Sequence, residues 1–322
     1  MSFKFKISPN HHGRRLDKVI RSLWPEIPLG ALMKDIRKGL IRVDGKKAPC
    51  SLRLSEGQEV YVPWDKPLQM KVTAVRKPLD TVYRDDDLWI VNKPSDLLSQ
   101  PSRKGEDSVL TRSWSGKGLI SKDFKPALVN RIDRNTSGIV VLALNGRSLR
   151  ILQEAVKKGK IRKTYLAVVC GRIPDEGRLD FPLLKMASNN TVIVDNAGSP
   201  SLSLFRRIHM DEDYSLVQLE LMTGRPHQAR VHLAYFGYPI LGDVKYGIPK
   251  ENKAWWNRGV RRPLLHARRL ILPEMEELHL LMNRGDFLAP LPEDMKAFFV
   301  KRGWGLKDMR FYSRTLDSLA WS

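Results

Sequence analysis

The sequence predicts an α+β protein with a small amino-terminal α+β domain and a larger domain built on a mainly antiparallel mixed sheet. Three observations support that class. The first 65 residues read as two helices followed by short strands. From Asp80 onward, strand candidates follow one another with few long helices between them, which suits an α+β sheet better than a doubly wound parallel one. Between these parts, Lys66 to Pro78 carries two prolines and no sustained period, as a linker does. A chain of 322 residues can bury such cores without covalent staples. Its two cysteines, Cys50 and Cys170, are far apart and offer neither a disulfide framework nor a thiolate metal site.

In the first part, Leu16, Val19, Ile20 and Leu23 recur at helical spacing, with Arg14, Arg15, Lys18 and Arg21 on the other faces. Leu29, Leu32, Met33 and Ile36 repeat the pattern, with Lys34, Arg37 and Lys38 outward and Gly39 as a stop. Leu40 to Val43 then runs into Asp44-Gly45, a hairpin-turn signal, and Glu56 to Val62 reads as a closing strand. In the second part, Leu88 to Pro94 reads as a strand ended by proline and Ile139 to Leu144 as a fully buried one. Leu149, Leu152, Ala155 and Val156 form a helical stripe, and Thr164 to Val169 returns to strand. Thr191 to Val194, Ser203 to Ile208 and Ser215 to Leu221 are further strands. Pro226 suits the first turn of a short helix that ends before Gly237 and Pro239. The domains expected are therefore residues 1–65 and 80–300, with a linker at 66–79 and an unassigned tail at 301–322.

A net charge of +21 and a pI near 10.0 favour a polyanionic partner, because cations that neutralise phosphates release condensed counterions. Nucleic acid is the leading candidate. No run of about 20 apolar residues marks a membrane span, and the opening Met1 to Ser8 lacks the apolar core of a secretory signal. A cytoplasmic monomer is expected. Within residues 1–66 there are 14 Lys and Arg against 7 Asp and Glu, so this part is basic beyond its share. With Arg15-Leu16-Asp17 and Val43-Asp44-Gly45, it resembles the ribosomal-protein-four type of RNA-binding domain, although Leu29-Gly30 stands where that family usually has Ser-Arg. The resemblance implies RNA contact through Arg14, Arg15, Lys18, Lys34, Arg37 and Lys38. On charge alone, the same residues also fit a solvated helical face.

Asp133 lies at the end of an apolar stretch, and Asn135 to Gly138 supply a tight reversal behind it, so the carboxylate sits at the rim of a sheet. An isolated aspartate in a turn most often bonds its own backbone. A guanidinium beside a partly buried carboxylate keeps it ionised and oriented, and Arg230, which shares a face with His227 by three-residue spacing, is the candidate partner. On spacing alone an ordinary surface arginine is the preferred reading of Arg230. Tyr165 sits on a strand with Ala167 and Val169 and either stacks a base or fills the core. His227 and His232 lack the His-Glu-x-x-His spacing, so no metal is expected and the histidines are read as structural. A glycoside hydrolase would want paired carboxylates, and only arginines flank Asp133.

The run Asn130-Arg131-Ile132-Asp133-Arg134-Asn135-Thr136-Ser137-Gly138 resembles the His-Arg-Leu-Asp-x-x-Thr-Ser-Gly motif of the RluA-type pseudouridine synthases. Lys163 to Ala167 resembles the family's Lys-x-Tyr-x-Ala motif. Thr223 to Leu233, continuing to Gly237-Tyr238-Pro239-Ile240-Leu241-Gly242-Asp243 and Tyr246-Gly247, resembles its longest signature. Leu88 to Pro94 and Leu265-His266-Ala267 match two more segments, so the likeness spans roughly 80–290. The resemblance implies that Asp133 is the catalytic aspartate, that Tyr165 stacks on the target base and serves in proton transfer, and that Arg230 pairs with Asp133. It implies that Arg131 fills the gap left when a uridine leaves its stack, a step that costs a few kcal/mol. No cofactor is needed for the isomerisation. An appended RNA-binding domain in this family points to large-subunit ribosomal RNA ahead of transfer RNA. A protein that binds RNA without modifying it, such as a ribosome-assembly factor, is the alternative from another class.

Two features depart from the pattern or extend it. Asn130 stands where the family has histidine, which removes a titratable group. Pro249 to Pro263, with Lys250, Lys253, Trp255, Trp256, Arg258, Arg261 and Arg262, has no obvious family counterpart. Its tryptophans either offer stacking platforms to RNA or pack onto the sheet.

Overall fold

The computed structural model describes residues 2–65, 77–103, 105–115, 124–186, 190–275, 278 and 285–305. Most of the linker read at 66–79 and of the tail read at 301–322 lies outside the described residues.

The amino-terminal part contains β1 (Phe3–Lys6), a 3-10 turn at Pro9–His11, α1 (Leu16–Leu23), α2 (Leu29–Lys38), β2 (Arg42–Val43), β3 (Lys46–Lys47) and β4 (Glu59–Val62). The two helical stripes bury Leu16, Val19, Ile20, Leu32 and Ile36 against Val60 and Val62 of a four-stranded sheet ordered β1-β4-β2-β3. Gly39 closes α2 at φ 72°, a left-handed position that suits glycine. Asp44 and Gly45 both take positive φ, 50° and 75°, as a two-residue hairpin turn requires. β1 is an addition to the elements read from sequence. Its alternating Phe3, Lys4, Phe5 and Lys6 pair with β4, with the phenylalanines turned toward Trp24.

The larger part contains β5 (Asp80–Arg84), β6 (Leu88–Lys93), α3 (Val109–Ser113), β7 (Ala127–Leu128), β8 (Ser137–Ala143), α4 (Gly146–Lys157) and β9 (Arg162–Cys170). It continues with β10 (Glu176–Asp180), β11 (Leu183–Lys185), β12 (Val192–Val194), β13 (Leu202–Met210), β14 (Tyr214–Leu221), α5 (Gln228–Tyr235), α6 (Pro249–Trp256), β15 (Leu265–Ile271), β16 (Asp286–Leu288) and α7 (Glu293–Lys301). A ten-stranded sheet runs β10-β13-β14-β9-β15-β8-β6-β5, with β16 and β7 paired at its side. Its pairs are antiparallel except β15 with β8, which makes it the mixed sheet expected. Every residue of β8 is buried, because alternate side chains enter two cores: Val140 and Leu142 enter one, Ile139 and Val141 the other. Gly138, at φ 112°, permits the parallel approach of β15, since a Cβ there would lie 2.2 Å from the carbonyl oxygen of Ala267.

Three details differ from the sequence reading. α5 begins at Gln228 because His227 takes a left-handed conformation, so Pro226 precedes the helix and does not open it. Trp255 is buried under α7 and donates to the Tyr214 hydroxyl at 2.7 Å, whereas Trp256 is exposed. Lys301 closes α7 and Trp304 is buried beside Phe299, so residues 301–305 pack with the larger part. The two parts touch where Asn10 Oδ1 accepts from the Gly146 amide at 2.9 Å, at the start of α4. Among the described residues, no helix is long and apolar enough to cross a membrane.

Candidate active site

Asp133 lies in the loop between β7 and β8. Its backbone carbonyl accepts from the Thr136 amide at 3.1 Å, closing the reversal that Asn135 to Gly138 announce. The carboxylate is left 28% exposed, open to solvent on one side. Arg230 approaches from the first turn of α5, and its Nη1 donates to Asp133 Oδ2 at 3.2 Å. The two residues are 97 positions apart in sequence, and the sheet brings them together.

Arg230 is itself fixed. Its Nε and Nη2 form a two-point fork on Asp243 at 2.7 and 2.8 Å, and its guanidinium lies over the Tyr246 ring at 5.0 Å. Asp243 is fully buried, and its Oδ1 also accepts from the amides of Lys245 and Tyr246. Asn252 of α6 holds the same turn by accepting from Gly242 N and donating to Asp243 O. Burial works against the Arg230 charge. The hydrogen bonds and charge of Asp243, joined by Asp133, outweigh it and push the pKa up. A permanent cation therefore stands beside the Asp133 carboxylate, with one edge left to meet it.

Tyr165, on β9, is buried in the first core together with Ala167 and Val169, as the alternation predicts. Burial first, and then the charge of Asp133, push its hydroxyl well above the usual range, so it stays protonated near neutral pH. It can give or share a proton but does not serve as a phenolate base there. His227 Nδ1 lies 2.7 Å from the Tyr246 hydroxyl, which accepts from the Val192 amide at 3.0 Å. That arrangement leaves the phenol proton for Nδ1, and burial lowers the His227 pKa so that the ring is neutral near pH 7. His232 bridges Ser203 Oγ and the Phe181 carbonyl, each at 3.0 Å, a structural role. Among the described residues, no group of histidine, cysteine and carboxylate side chains could hold a metal ion.

Asn130, where the family motif has histidine, bonds the neighbouring strand at both ends of its amide. It accepts from Val141 N at 2.7 Å and donates to Ile139 O at 3.3 Å. Arg131 is exposed next to the site. In the amino-terminal part, Lys18, Lys34, Arg37 and Lys38 are exposed. The Arg15 fork is engaged by Asp17 at 3.0 and 3.1 Å, and Arg14 is half-buried against His11. A groove of about 800 Å³ runs along α2, floored by Met33, Ile36 and Ala48 and rimmed by Arg37 and Lys47. It belongs to the amino-terminal part and does not include Asp133.

Sequence reading brought Asp133, Tyr165 and Arg230 forward, and the structure gathers all three. It gave no role to Asp243, Tyr246 or Lys93, although each lies in a quoted motif. The available signal was indirect: an arginine buried on a helix needs a second carboxylate, and the Gly242-Asp243 turn holds the first carboxylate that follows it in sequence.

Known proteins match this chain in sequence and fold. A family model described as RNA pseudouridylate synthase matches residues 87–235. The chain is 30% identical over 293 residues to a protein of Vibrio vulnificus named ribosomal large subunit pseudouridine synthase D, covering 88% of this chain and 89% of that one. It is 35% identical over 257 residues to ribosomal large subunit pseudouridine synthase C of Rickettsia bellii, covering 73% and 83%. The structure of human RNA pseudouridylate synthase domain containing 4 shares the fold, with a TM-score of 0.56, 23% identity, and coverage of 69% of this chain and 92% of that one. With sequence, topology and residue motifs in agreement, the chain belongs to the RluA-type family of RNA pseudouridine synthases.

Proposed function

We propose that this chain isomerises uridines of large-subunit ribosomal RNA to pseudouridine, with Asp133 as the reacting carboxylate. The observation that carries this reading is the Asp133–Arg230 contact at 3.2 Å, in which a partly exposed carboxylate is aimed by an arginine that a fully buried Asp243 locks in place. Relatives named for acting on the large ribosomal subunit support the substrate, and so does the net charge of +21.

In the proposed reaction, the target uridine leaves its stack, and Arg131, exposed beside the loop, fills the vacancy. Asp133 acts at the sugar while the C1′–N1 bond breaks. The freed uracil turns against Tyr165 and rejoins through C5. A proton leaves C5 and one is gained at N1, so atoms balance without redox chemistry or a cofactor. Arg230 is the positioning partner of Asp133. Lys18, Lys34, Arg37 and Lys38, with Arg14 and Arg15 nearer the domain's own contacts, hold the RNA backbone from the amino-terminal domain. The protein is read as a cytoplasmic monomer.

Purified protein incubated with unmodified large-subunit ribosomal RNA and, separately, with unmodified transfer RNA tests the reading. Pseudouridine at discrete positions of the ribosomal RNA is the expected result. Product in transfer RNA alone would overturn the substrate, and product in neither would overturn the activity.

A further inference from the structure

The two domains meet where the 3-10 turn Pro9–His11 lies against the start of α4. The fit is close. Gly146 has no room for a Cβ, which would lie 2.1 Å from the Asn10 carbonyl oxygen, and its amide donates to Asn10 Oδ1 at 2.9 Å. Beside this contact are two arginines, Arg14 of the amino-terminal domain and Arg150 of α4. Arg14 Nη1 donates to His11 Nδ1 at 3.0 Å, so that ring nitrogen carries no proton and the imidazole is neutral. Arg150 Nη2 reaches the Pro9 carbonyl at 3.5 Å, a long contact, and its Nη1 is buried without a hydrogen-bond partner among the described residues. Both arginines keep part of their surface open to solvent.

This seam lacks negative charge. Among the described residues neither guanidinium meets a carboxylate, whereas those of Arg162, Arg230 and Arg302 each do. Burial lowers the pKa of both arginines, and the charge of Arg150 lowers that of Arg14 further. α4 also carries Arg147 and no acidic residue in its first turn, so a third cation stands at the positive end of the helix dipole. Like charges drawn together without a counter-ion oppose the contact they border. The unpartnered Arg150 N–H adds to that opposition. An anion with several acceptor oxygens relieves both, and the planar guanidinium fork suits a phosphate.

We propose that the seam is a phosphate site, in which a backbone phosphate of the bound RNA lies between Arg14 and Arg150 and fixes the amino-terminal domain against α4. The proposal rests on RNA being the partner. It adds a contact from the larger domain, Arg150, which lies outside every motif quoted above. Free phosphate presents the same oxygens and is the other source of this chemistry. The RNA backbone is the occupant argued for, because a chain of net charge +21 gathers a polyanion and releases its counterions.

The test is the affinity of the full chain for large-subunit ribosomal RNA as salt rises from about 50 to about 200 mM. Over that range Arg150→Gln is expected to lose about threefold less affinity than wild type, because one phosphate contact fewer lowers the salt slope by about 0.7–0.9. Arg150→Lys keeps the charge and restores the wild-type slope. Arg147→Gln removes an exposed charge from the same helix and changes the slope by less than half as much. In buffer without phosphate or RNA, Arg150→Gln melts no lower than Arg150→Lys, which retains the repulsion. The proposal is overturned if Arg150→Gln keeps the wild-type slope, if Arg147→Gln changes it equally, or if Arg150→Gln melts below Arg150→Lys. Inorganic phosphate supplies the second arm: a midpoint it raises in wild type but not in Arg150→Gln, with the RNA slope of Arg150→Gln unchanged, assigns the seam to the free ion and overturns the RNA occupant. Wild type that binds ribosomal RNA without converting it removes the proposed activity and leaves the seam to be decided by the slope. Wild type without RNA affinity removes both.

Discussion

Asp243 shows how much of the site's order is set by a residue with no exposed surface. Its carboxylate is fully buried and takes two of the Arg230 nitrogens, leaving Nη1 for Asp133. Removing one partner of a buried ion pair leaves the other charge uncompensated, so Asp243→Ala should destabilise the protein by about 3–5 kcal/mol. Urea unfolding checks this, and a midpoint unchanged from wild type would contradict the pairing. Asp133 and Arg230 were legible through the family motifs that hold them, since turn chemistry and spacing alone also fit structural roles for each. Asp243 was not, because its importance comes from burial, and burial is set by the Gly242 turn and by Asn252 on a helix that begins after it. Asn130 is the converse case. The sequence raised the loss of a titratable group, and the structure shows an amide that bonds β8 at two points.

At the scale of elements, β8 and β9 were readable from their apolar runs, since strands buried on both faces carry little polar alternation. Their order in the sheet was not readable. The parallel pairing of β15 with β8 is a long-range choice, and its local requirement is a single glycine, Gly138. Gly138→Ala places a methyl against the Ala267 backbone and forces a side chain onto φ 112°. The substitution should cost roughly 3 kcal/mol and separate the Asp133 loop from β15, lowering both the thermal midpoint and the rate. A midpoint equal to wild type would mean the strands do not approach so closely. β1 escaped the sequence reading because four residues are too few for a period to stand out. α6 escaped because Pro249 to Pro263 was weighed for its tryptophans and cations, although a proline is well suited to a helix's first turn, and Trp255 then becomes the anchor under α7.

For the whole molecule, composition indicated the partner more clearly than the fold. A charge of +21 points to a polyanion, and 14 cations against 7 anions in residues 1–66 place much of that pull on the amino-terminal part. The structure adds that this part is not merely tethered. Asn10 Oδ1 accepts from the first amide of α4, and a Cβ on Gly146 would meet the Asn10 carbonyl at 2.1 Å, so the two parts meet through a close backbone contact that no sequence pattern marks. The central claim concerns a single carboxylate within this assembly. Its most direct test is single-turnover conversion of ribosomal RNA by Asp133→Asn at saturating protein, with RNA binding measured on the same preparation. The account predicts no pseudouridine above background and RNA affinity within about threefold of wild type, because the change removes a charge but keeps the shape. Pseudouridine formed at the wild-type rate would contradict it.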